Sequence, residues 1–476
     1  MRNDQVFTPI YIVKQMLNKI GYEGENVKCK KILEPSFGSG MFLFQITERI
    51  LNYAKLNKLS EKDTIAIFDN VHGVELNEEL YKETKKELIE YCKDNGINYN
   101  WPNLICGDST KINFNHEYDF VVGNPPYIRV HDLEKEEREY IEKNFQFSQG
   151  NTDLYITFFE IGLNAMKKDG TLSYIAPNSF MKNSSQKEFR KYLVSHNLVD
   201  SIVDYGKVPV FGEIATYTAI TTLHKNKNKE TRYVKMKDRD FIEYETDIDL
   251  STFNSKPWFI VSDEDKKFLD KIKKRKIKLS DLCEIQYGLA TNADEVYIVE
   301  KQNVCNFEKE ILRPVVKGSR LDASKYIIFP YAYNEEEKRF EIIKEDALSS
   351  KYPKTYAYLM SHKERLKKRD LEKNAVWYQY GRSQGIQKSK NKKIVVPQII
   401  ELSANECRVK EYDENTLVYS GIFIIVKDEK NSECVKKVLM SNEFCKYVKL
   451  TGKDMSGGYK SFNANVIKDF GVLIQK

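Results

Sequence analysis

The sequence has 476 residues, of which 41% are apolar and 31% charged, enough for two or three domains with their own cores. No stretch approaches the roughly 18 apolar residues of a membrane span and no signal-peptide pattern opens the chain, which excludes an integral membrane protein and predicts a cytoplasmic one. Eight scattered cysteines without a C-x-x-C pair predict free thiols and no metal site, and a net charge of +6 does not by itself indicate nucleic acid.

The first half of the chain alternates short apolar runs with helical patterns. Strands are predicted at residues 31–33, 71–74, 103–106, 119–122 and 171–176, with helices at 41–56, 78–91 and 154–166. The helices show apolar residues at spacings of three and four. Strands that alternate with helices predict a mostly parallel α/β sheet covered on both faces.

The pattern changes near residue 225. Residues 225–230 form a polar run typical of a linker or an exposed hairpin, and beyond it short β-like runs are separated by basic loops. Such runs occur at 297–299, 326–329, 393–396 and 422–426. We therefore predict one domain at 1–225 and a second, of the α+β class, at 226–476, whose compact part begins between 230 and 280.

Residues 351–393 carry 13 Lys or Arg and three acidic residues, a local net charge of +10, with aromatic residues between them. Basic groups bind a phosphate backbone and aromatic rings stack on bases, although a solvated lysine-rich surface has the same composition. The candidate DNA-binding residues are Arg365, Lys367, Lys368, Arg369, Trp377, Tyr378 and Arg382.

Residues 34–40, which read Glu-Pro-Ser-Phe-Gly-Ser-Gly, follow the first predicted strand. Glycines there allow the backbone to approach a ligand, but the segment is not G-x-G-x-x-G and has no Walker lysine. Phosphate binding is therefore not indicated, and Glu34 suits a positively charged amino acid moiety instead. A plain turn from strand to helix also accounts for such a segment.

Two more acids end the next strands. Glu75 follows the second strand and can accept from a ribose diol, and Asp108 follows the third and can accept from an exocyclic amine. Either acid alone could be a helix N-cap. Acids at three successive strand ends together indicate a ligand pocket at the carboxyl edge of the sheet.

Residues 124–127, Asn-Pro-Pro-Tyr, follow the fourth strand. The prolines stiffen the loop, so the Asn124 side-chain oxygen and the Pro125 carbonyl can act as paired acceptors. An exocyclic amine that donates to both becomes more tetrahedral, which frees its lone pair for attack. Tyr127 offers a flat face to an extruded base. A simple Pro-rich turn is the alternative interpretation.

These motifs resemble, in order, those of the γ-class, TaqI-type N6-adenine DNA methyltransferases of restriction–modification systems. The resemblance covers residues 1 to about 222, with Pro35-Ser36-Phe37 in place of the commoner Pro-Ala-Cys. It implies S-adenosylmethionine as cofactor, bound by Val6, Phe7, Thr8, Glu34, Ser36, Gly38, Glu75, Leu76, Asp108, Asn124 and Pro126. The implied catalytic residues are Asn124, Pro125, Pro126 and Tyr127, and the flipped adenine would lie between Tyr127 and Phe211. A core position would equally explain Phe211.

The implied fold is a Rossmann-like, S-adenosylmethionine-dependent methyltransferase domain followed by an α+β target-recognition domain. The implied partner is double-stranded DNA, and the implied protein is a bacterial or archaeal monomer associated with the nucleoid. Because the motifs begin at residue 6, we expect cleavage to belong to a separate cognate endonuclease. RNA or protein-glutamine methylation remains an alternative, as does a DNA-binding subunit without catalysis.

Overall fold

The computed structural model describes residues 7–150, 152–212, 217–225, 229–371, 375–382, 385–455 and 458–473. The chain divides into two compact units, Met1–Ser262 and Asp263–Lys476, called unit 1 and unit 2. No helix in the described ranges is both long enough and apolar enough to cross a membrane.

Unit 1 is built around one sheet whose strands alternate with helices. Its described strands are β1 (Ile32–Glu34), β2 (Val71–Glu75), β3 (Leu104–Cys106), β4 (Tyr118–Gly123), β5 (Met166–Pro177), β6 (Val199–Gly206), β7 (Thr218–His224), β8 (Glu230–Met236) and β9 (Ile242–Asp249). Its described helices are α1 (Ile10–Lys19), α2 (Glu25–Cys29), α3 (Met41–Leu56), α4 (Glu61–Phe68), α5 (Glu78–Asp94), α6 (Lys135–Asn144), α7 (Leu154–Ala165) and α8 (Lys187–Ser195). The alternation predicted from the sequence is confirmed, and α3 has the predicted bounds.

The described strands of unit 1 form a single nine-stranded sheet in the order β3-β2-β1-β4-β5-β7-β6-β8-β9. The pairings from β3 to β5 are parallel, and β7 is antiparallel to both β5 and β6. The predicted mostly parallel sheet is therefore confirmed. The carboxyl ends of β1 to β4 meet at one edge, where ligands bind in open α/β sheets.

Both faces of this sheet are covered. Along β4, Phe120 and Val122 join one hydrophobic cluster and Val121 joins the other, as the two-residue period of a strand requires. Helix α3 adds Phe42 and Ile46 to the first cluster, which also contains residues of α1. Helix α7 is buried almost all round in the second cluster. The strand ends are thus held on a core packed from two sides.

The boundary predicted at 225/226 is wrong in position. Strand β8 pairs in parallel with β6, and β9 pairs with β8, so both strands belong to the sheet of unit 1. The polar run resembles a linker, but Thr231 and Tyr233 behind it are buried and extend the sheet. The division after Ser262 falls within the range predicted for the start of the second compact region.

Unit 2 consists of short helices and several small sheets. Its described strands are β10 (Ile277–Lys278), β11 (Cys283–Tyr287), β12 (Ile298–Val299), β13 (Leu312–Lys317), β14 (Asp322–Ile328), β15 (Tyr331–Asn334), β16 (Arg339–Ile342), β17 (Lys393–Val396), β18 (Ile399–Glu401), β19 (Lys410–Tyr412), β20 (Leu417–Tyr419), β21 (Ile422–Val426), β22 (Lys453–Met455), β23 (Tyr459–Ser461) and β24 (Gly471–Val472). Its described helices are α9 (Asp263–Lys274), α10 (Leu279–Leu282), α11 (Asp294–Tyr297), α12 (Glu345–Lys351), α13 (Pro353–Ser361), α14 (Lys363–Lys367), α15 (Ser432–Met440), α16 (Asn442–Thr451) and α17 (Ala464–Lys468).

The larger sheets of unit 2 have the orders β11-β21-β17-β19 and β12-β14-β13-β20. Most of their pairings are antiparallel, and β13 runs parallel to β20. Strands β17 and β21 have the bounds predicted from the sequence. The mixture of helices with small antiparallel sheets agrees with the predicted α+β class.

Candidate active site

The ends of β1 to β4 lie beside a cavity of about 250 Å³ in unit 1. The predicted cofactor-binding and catalytic residues that line it are Phe7, Thr8, Glu34, Ser36, Gly38, Glu75, Leu76, Asp108, Asn124, Pro125, Pro126 and Tyr127. Val6 lies outside the described residues. Side chains separated by more than 100 positions in the sequence therefore meet at one edge of the sheet.

Glu34 ends β1 at the base of the cavity and is only 2% exposed. Its carboxyl group accepts a hydrogen bond from the backbone N–H of Leu43, and Oε2 has no hydrogen-bond partner among the described residues. Burial raises the pKa of Glu34 well above its usual 4.5, and the nearby carboxylate of Glu75 raises it further. A cationic group in the cavity would favour the charged form, because an opposite charge offsets desolvation.

Glu75 ends β2 and is held by backbone donors. Its Oε2 accepts from the N–H of Gly38 at 2.8 Å, and its Oε1 accepts from the N–H of Asn77 at 2.8 Å. Each oxygen has a further lone pair for a ligand hydroxyl. Beside it, Leu76 exposes 67% of its surface. A fixed carboxylate and an apolar side chain thus stand together on the cavity wall.

Asp108 lines the cavity and also caps a short 3₁₀ helix, Ser109–Lys111. Its Oδ1 accepts from the backbone N–H of Thr110 at 2.9 Å and from the Thr110 hydroxyl at 2.7 Å. Its Oδ2 lies 3.3 Å from Lys111 Nζ. Asp108 is therefore an N-cap and also lies at the cavity, so both interpretations of this residue describe the structure. Binding of an adenine amine by Asp108 stays a prediction.

The glycine turn after β1 brings backbone to the cavity. Gly38 and Gly40 have φ of +52° and +72°, in the left-handed region that favours glycine. A Cβ on Gly40 would lie 2.4 Å from Thr84 Cγ2, whereas one on Gly38 would meet nothing within 4 Å. The Ser36 hydroxyl is buried, with no hydrogen-bond partner among the described residues. The turn therefore packs tightly against α5 while presenting polar groups to the cavity.

The Asn-Pro-Pro-Tyr loop is joined to the N-terminal segment through Asn124. Its Nδ2 donates to the Thr8 hydroxyl at 3.1 Å, and Thr8 is 6% exposed. Pro9 then begins the turn into α1, since its carbonyl accepts from the N–H groups of Ile12 and Val13. The side-chain amide of Asn124 is thus oriented by a residue 116 positions away.

Tyr127 is half-buried, and its hydroxyl donates to the Ile175 carbonyl at 3.2 Å. Burial, with a smaller contribution from Tyr155, raises the pKa of Tyr127 well above its usual value. The ring of Phe211 lies 6.2 Å from that of Tyr127, centroid to centroid, in an edge-to-face arrangement. Phe211 is buried in the hydrophobic core and is not among the residues that line the cavity. It therefore has the core position that the sequence also allowed, and it contacts Tyr127 as well.

Several lining residues were not predicted from motifs. They include Phe37, Phe42, Leu133, Glu137 and Phe158. Leu133 lies just before α6, and Glu137 lies in the first turn of that helix. No motif in the sequence marks this segment.

Two of the candidate DNA-binding residues in unit 2 are corrected by the structure. The Arg369 guanidinium donates to the backbone carbonyls of Thr291, Leu366, Trp377 and Gln379, so it ties the backbone together and has few donors left for a phosphate. Tyr378 is 1% exposed, with its hydroxyl donating to the Ile343 carbonyl. Its ring therefore belongs to the core and cannot stack on a base.

The other candidates stand at or near the surface. Lys367, Lys368 and Arg382 are exposed, and Arg365 is exposed beside Glu295, with which it forms an ion pair. Trp377 is half-buried, and its Nε1 donates to Glu345 Oε1 at 3.1 Å. These residues remain available to a ligand of unit 2, and their binding to DNA stays a prediction.

Comparison with known proteins agrees with the site in unit 1. Residues 40–211 match the family described as "Eco57I restriction-modification methylase". The sequence resemblance is thereby confirmed at the level of the methylase family.

Two curated relatives of the methylase extend the match along the chain. The type II methyltransferase M.BstVI of Geobacillus stearothermophilus is 28% identical, over 77% of this chain and 72% of its own length. M.PaeR7I of Pseudomonas aeruginosa is 22% identical, over 97% of this chain and 84% of its own length. Restriction–modification methyltransferases therefore resemble both units.

A solved structure of the type IIL restriction–modification enzyme MmeI shares the fold of this chain. It aligns with a TM-score of 0.61 at 12% identity, covering 97% of this chain and 65% of that chain. S-adenosylmethionine is the cofactor of this family of methylases. The cavity suits it, because the spare oxygen of Glu34, the hydroxyl of Ser36 and the glycine turn match a ligand with one cationic and several polar groups.

Proposed function

We propose that this methylase is a site-specific DNA adenine-N6 methyltransferase. The observation that supports it best is the convergence of Asn124, Tyr127, Glu34, Glu75 and Asp108 on one cavity. A paired-acceptor loop suits an aromatic amine, and the acids suit a cofactor with an ammonium group, a diol and an adenine amine. Neither the loop nor the group of acids would by itself require the other to lie at the same edge of the sheet.

In this proposal each group of the cofactor meets a stated residue. Glu34 would hold the ammonium group of the methionine part, Glu75 would accept from the ribose hydroxyls, and Asp108 would accept from the adenine amine, with Leu76 against the adenine ring. Phe7 and Thr8 cover the methionine part, together with Val6. Bound there, S-adenosylmethionine supplies an electrophilic methyl group on a sulfonium.

The reaction uses the acceptors of the loop. The target adenine leaves the duplex, at a cost of a few kcal/mol, and its amine donates to Asn124 Oδ1 and the Pro125 carbonyl. These acceptors would leave the nitrogen lone pair free to take the methyl group that the cofactor would supply, with the carbon–sulfur bonding pair remaining on the sulfur. One amine proton leaves afterwards to solvent. Asn124 contributes by positioning and charge stabilisation, and Pro126 keeps the loop rigid.

Duplex DNA is the proposed substrate because the relatives are type II methyltransferases and because unit 2 carries the exposed basic group Arg365, Lys367, Lys368 and Arg382. We propose that unit 2 recognises the target sequence through phosphate and base contacts. We also propose that the methylase acts as a monomer and that a separate endonuclease cleaves the same site.

The test is to express the methylase in a bacterial host that lacks adenine methylation and to sequence the modified bases of its DNA. We expect N6-methyladenine at one recurrent sequence, and none from cells that express Asn124→Ala at equal level. Methylation of cytosine at a recurrent sequence would overturn the adenine assignment. Methylation confined to RNA or protein would overturn DNA as substrate, and the absence of any transfer would favour a DNA-binding role without catalysis.

A further inference from the structure

The segment that carries Phe211 is held at two points by the β8–β9 hairpin. This segment, residues 206–211 and called here the Phe211 segment, follows β6 and leads to the ring that contacts Tyr127. The hairpin lies beyond residues 40–211, which match the methylase family. Its side chains therefore fall outside the motifs from which the site was predicted.

The first point of attachment is the carboxylate of Asp204, which is 4% exposed. Its Oδ2 accepts from the Tyr233 hydroxyl at 2.6 Å and from Lys235 Nζ at 2.8 Å, both on β8. Its Oδ1 accepts from Asn178 Nδ2 at 2.7 Å and from the backbone N–H of Gly206 at 2.9 Å. Asp204 thus connects the hairpin directly to the first residue of the Phe211 segment.

The surroundings of Asp204 keep it charged and leave little free space. Burial alone would raise its pKa, but Lys235 and the hydrogen bonds of Tyr233 and Asn178 hold the pKa below its usual 3.8. Gly206 has a φ of +53°, and a Cβ there would lie 2.4 Å from Lys235 Nζ. The lysine therefore packs directly over the turn that starts the segment.

The second point of attachment is Arg239, at the turn between β8 and β9. Its Nε and Nη2 donate to the carbonyl of Pro209 at 3.2 and 2.9 Å, two residues before Phe211. Met236, at the end of β8, is buried in the same hydrophobic cluster as Val210 and Phe211. The hairpin consequently contacts the segment at its start, at its middle and through the core.

We propose that the β8–β9 hairpin positions Phe211 for the target base, with Lys235 and Arg239 as positioning residues. The proposal rests on the proposed function, because it takes Phe211 as the ring that contacts the extruded adenine. Displacement of a substrate-contacting group by about 1 Å can cost on the order of 100-fold in rate. A forked guanidinium that grips one carbonyl limits such displacement without touching the substrate.

The test compares Arg239→Gln with Arg232→Gln in the full chain. Arg232 is on the same hairpin, and its ion pairs among the described residues are with Glu245 and Asp247 across it, so it is a matched control. One readout is the ¹⁹F NMR spectrum of protein that carries 4-fluorophenylalanine at position 211. The other is methyl transfer to a duplex that contains the mapped target sequence with its target adenine.

We expect Arg239→Gln to shift or broaden the ¹⁹F resonance and to lower kcat about tenfold, with KM for DNA changed less than about twofold. Arg239→Lys should recover part of kcat, and Arg232→Gln should match the wild type in both readouts. Equal spectra and equal kcat for Arg239→Gln and Arg232→Gln would overturn the proposal. If the wild type transferred no methyl group to adenine, the proposed function would fail instead, while the ¹⁹F spectra would still test the attachment of Phe211.

Discussion

The two units differ in how well their functional residues could be predicted from the sequence. In unit 1 most of the residues came from strand ends and the others from the family resemblance, and all those described except Phe211 line one cavity. In unit 2 they came from charge and aromatic content, and two of seven, Arg369 and Tyr378, serve the fold instead. A parallel sheet fixes where strand ends meet, whereas composition does not determine whether a basic or aromatic side chain faces solvent.

The largest effect should come from Asn124→Ala, which removes the side-chain acceptor in unit 1. Loss of a donor or acceptor aimed at developing charge costs about 100- to 1,000-fold in kcat. We expect that loss in transfer of a radiolabelled methyl group, with the Kd for S-adenosylmethionine nearly unchanged by calorimetry. Asn52→Ala, on the exposed face of α3, is the control. Full activity of Asn124→Ala would remove the proposed role of the loop.

The second prediction tests the corrected role of Arg369 in unit 2. Arg369→Ala would leave several backbone carbonyls without their charged donor and should lower the free energy of unfolding by about 3 kcal/mol. Arg365→Ala, which removes only a surface ion pair with Glu295, should cost less than about 1 kcal/mol. Urea unfolding measures both. Equal stabilities for the two variants, with weaker DNA binding for Arg369→Ala, would return Arg369 to the DNA-binding surface.

The third prediction concerns pH and Glu34. Because its folded pKa lies well above 4.5, Glu34 loses its proton only as pH rises through that higher value, and the cofactor ammonium prefers the ionised form. Affinity for S-adenosylmethionine should therefore increase with pH, by about tenfold per unit of pKa change on binding. The free protein should show the opposite trend and lose stability as pH rises above 4.5, since the folded state then binds more protons than the unfolded state.

Glu34→Gln should flatten both pH profiles, in calorimetric titration with the cofactor and in thermal unfolding without it. Glu79→Gln, at an exposed position near the start of α5, should keep the wild-type profiles. A wild-type Kd that is independent of pH between about 5 and 8 would contradict the pairing of Glu34 with the ammonium group.

The smallest effect is expected from Lys368→Ala on the exposed surface of unit 2. Loss of one phosphate contact should weaken DNA binding about threefold and reduce the salt dependence of log Kd by about 0.9, with unchanged thermal stability. Fluorescence anisotropy with a labelled duplex at several salt concentrations measures both quantities. An identical salt slope for variant and wild type would show that Lys368 does not neutralise a phosphate.

The sequence predicted the parallel part of the sheet because each strand there is a short apolar run that ends in an acid or a glycine. It did not predict that β8 and β9 extend the same sheet, since residues 225–230 are polar and the return of β8 beside β6 depends on tertiary pairing. Burial of Tyr378 and capture of Arg369 by carbonyls also depend on contacts distant in sequence. Contacts distant in sequence also decide whether Asp108 lines the cavity, so the sequence alone does not show that it both caps a helix and lies at the cavity.

The uncompensated carboxyl of Glu34 also affects how long each copy of the protein survives. Binding of a cofactor to the native state alone adds about 2.7 kcal/mol of stability when its concentration is 100 times the Kd. Copies that lack the cofactor should therefore unfold more often and be degraded sooner by cellular proteases. We expect the half-life of the protein in growing cells to shorten when the supply of S-adenosylmethionine falls, so that its abundance follows that of the cofactor.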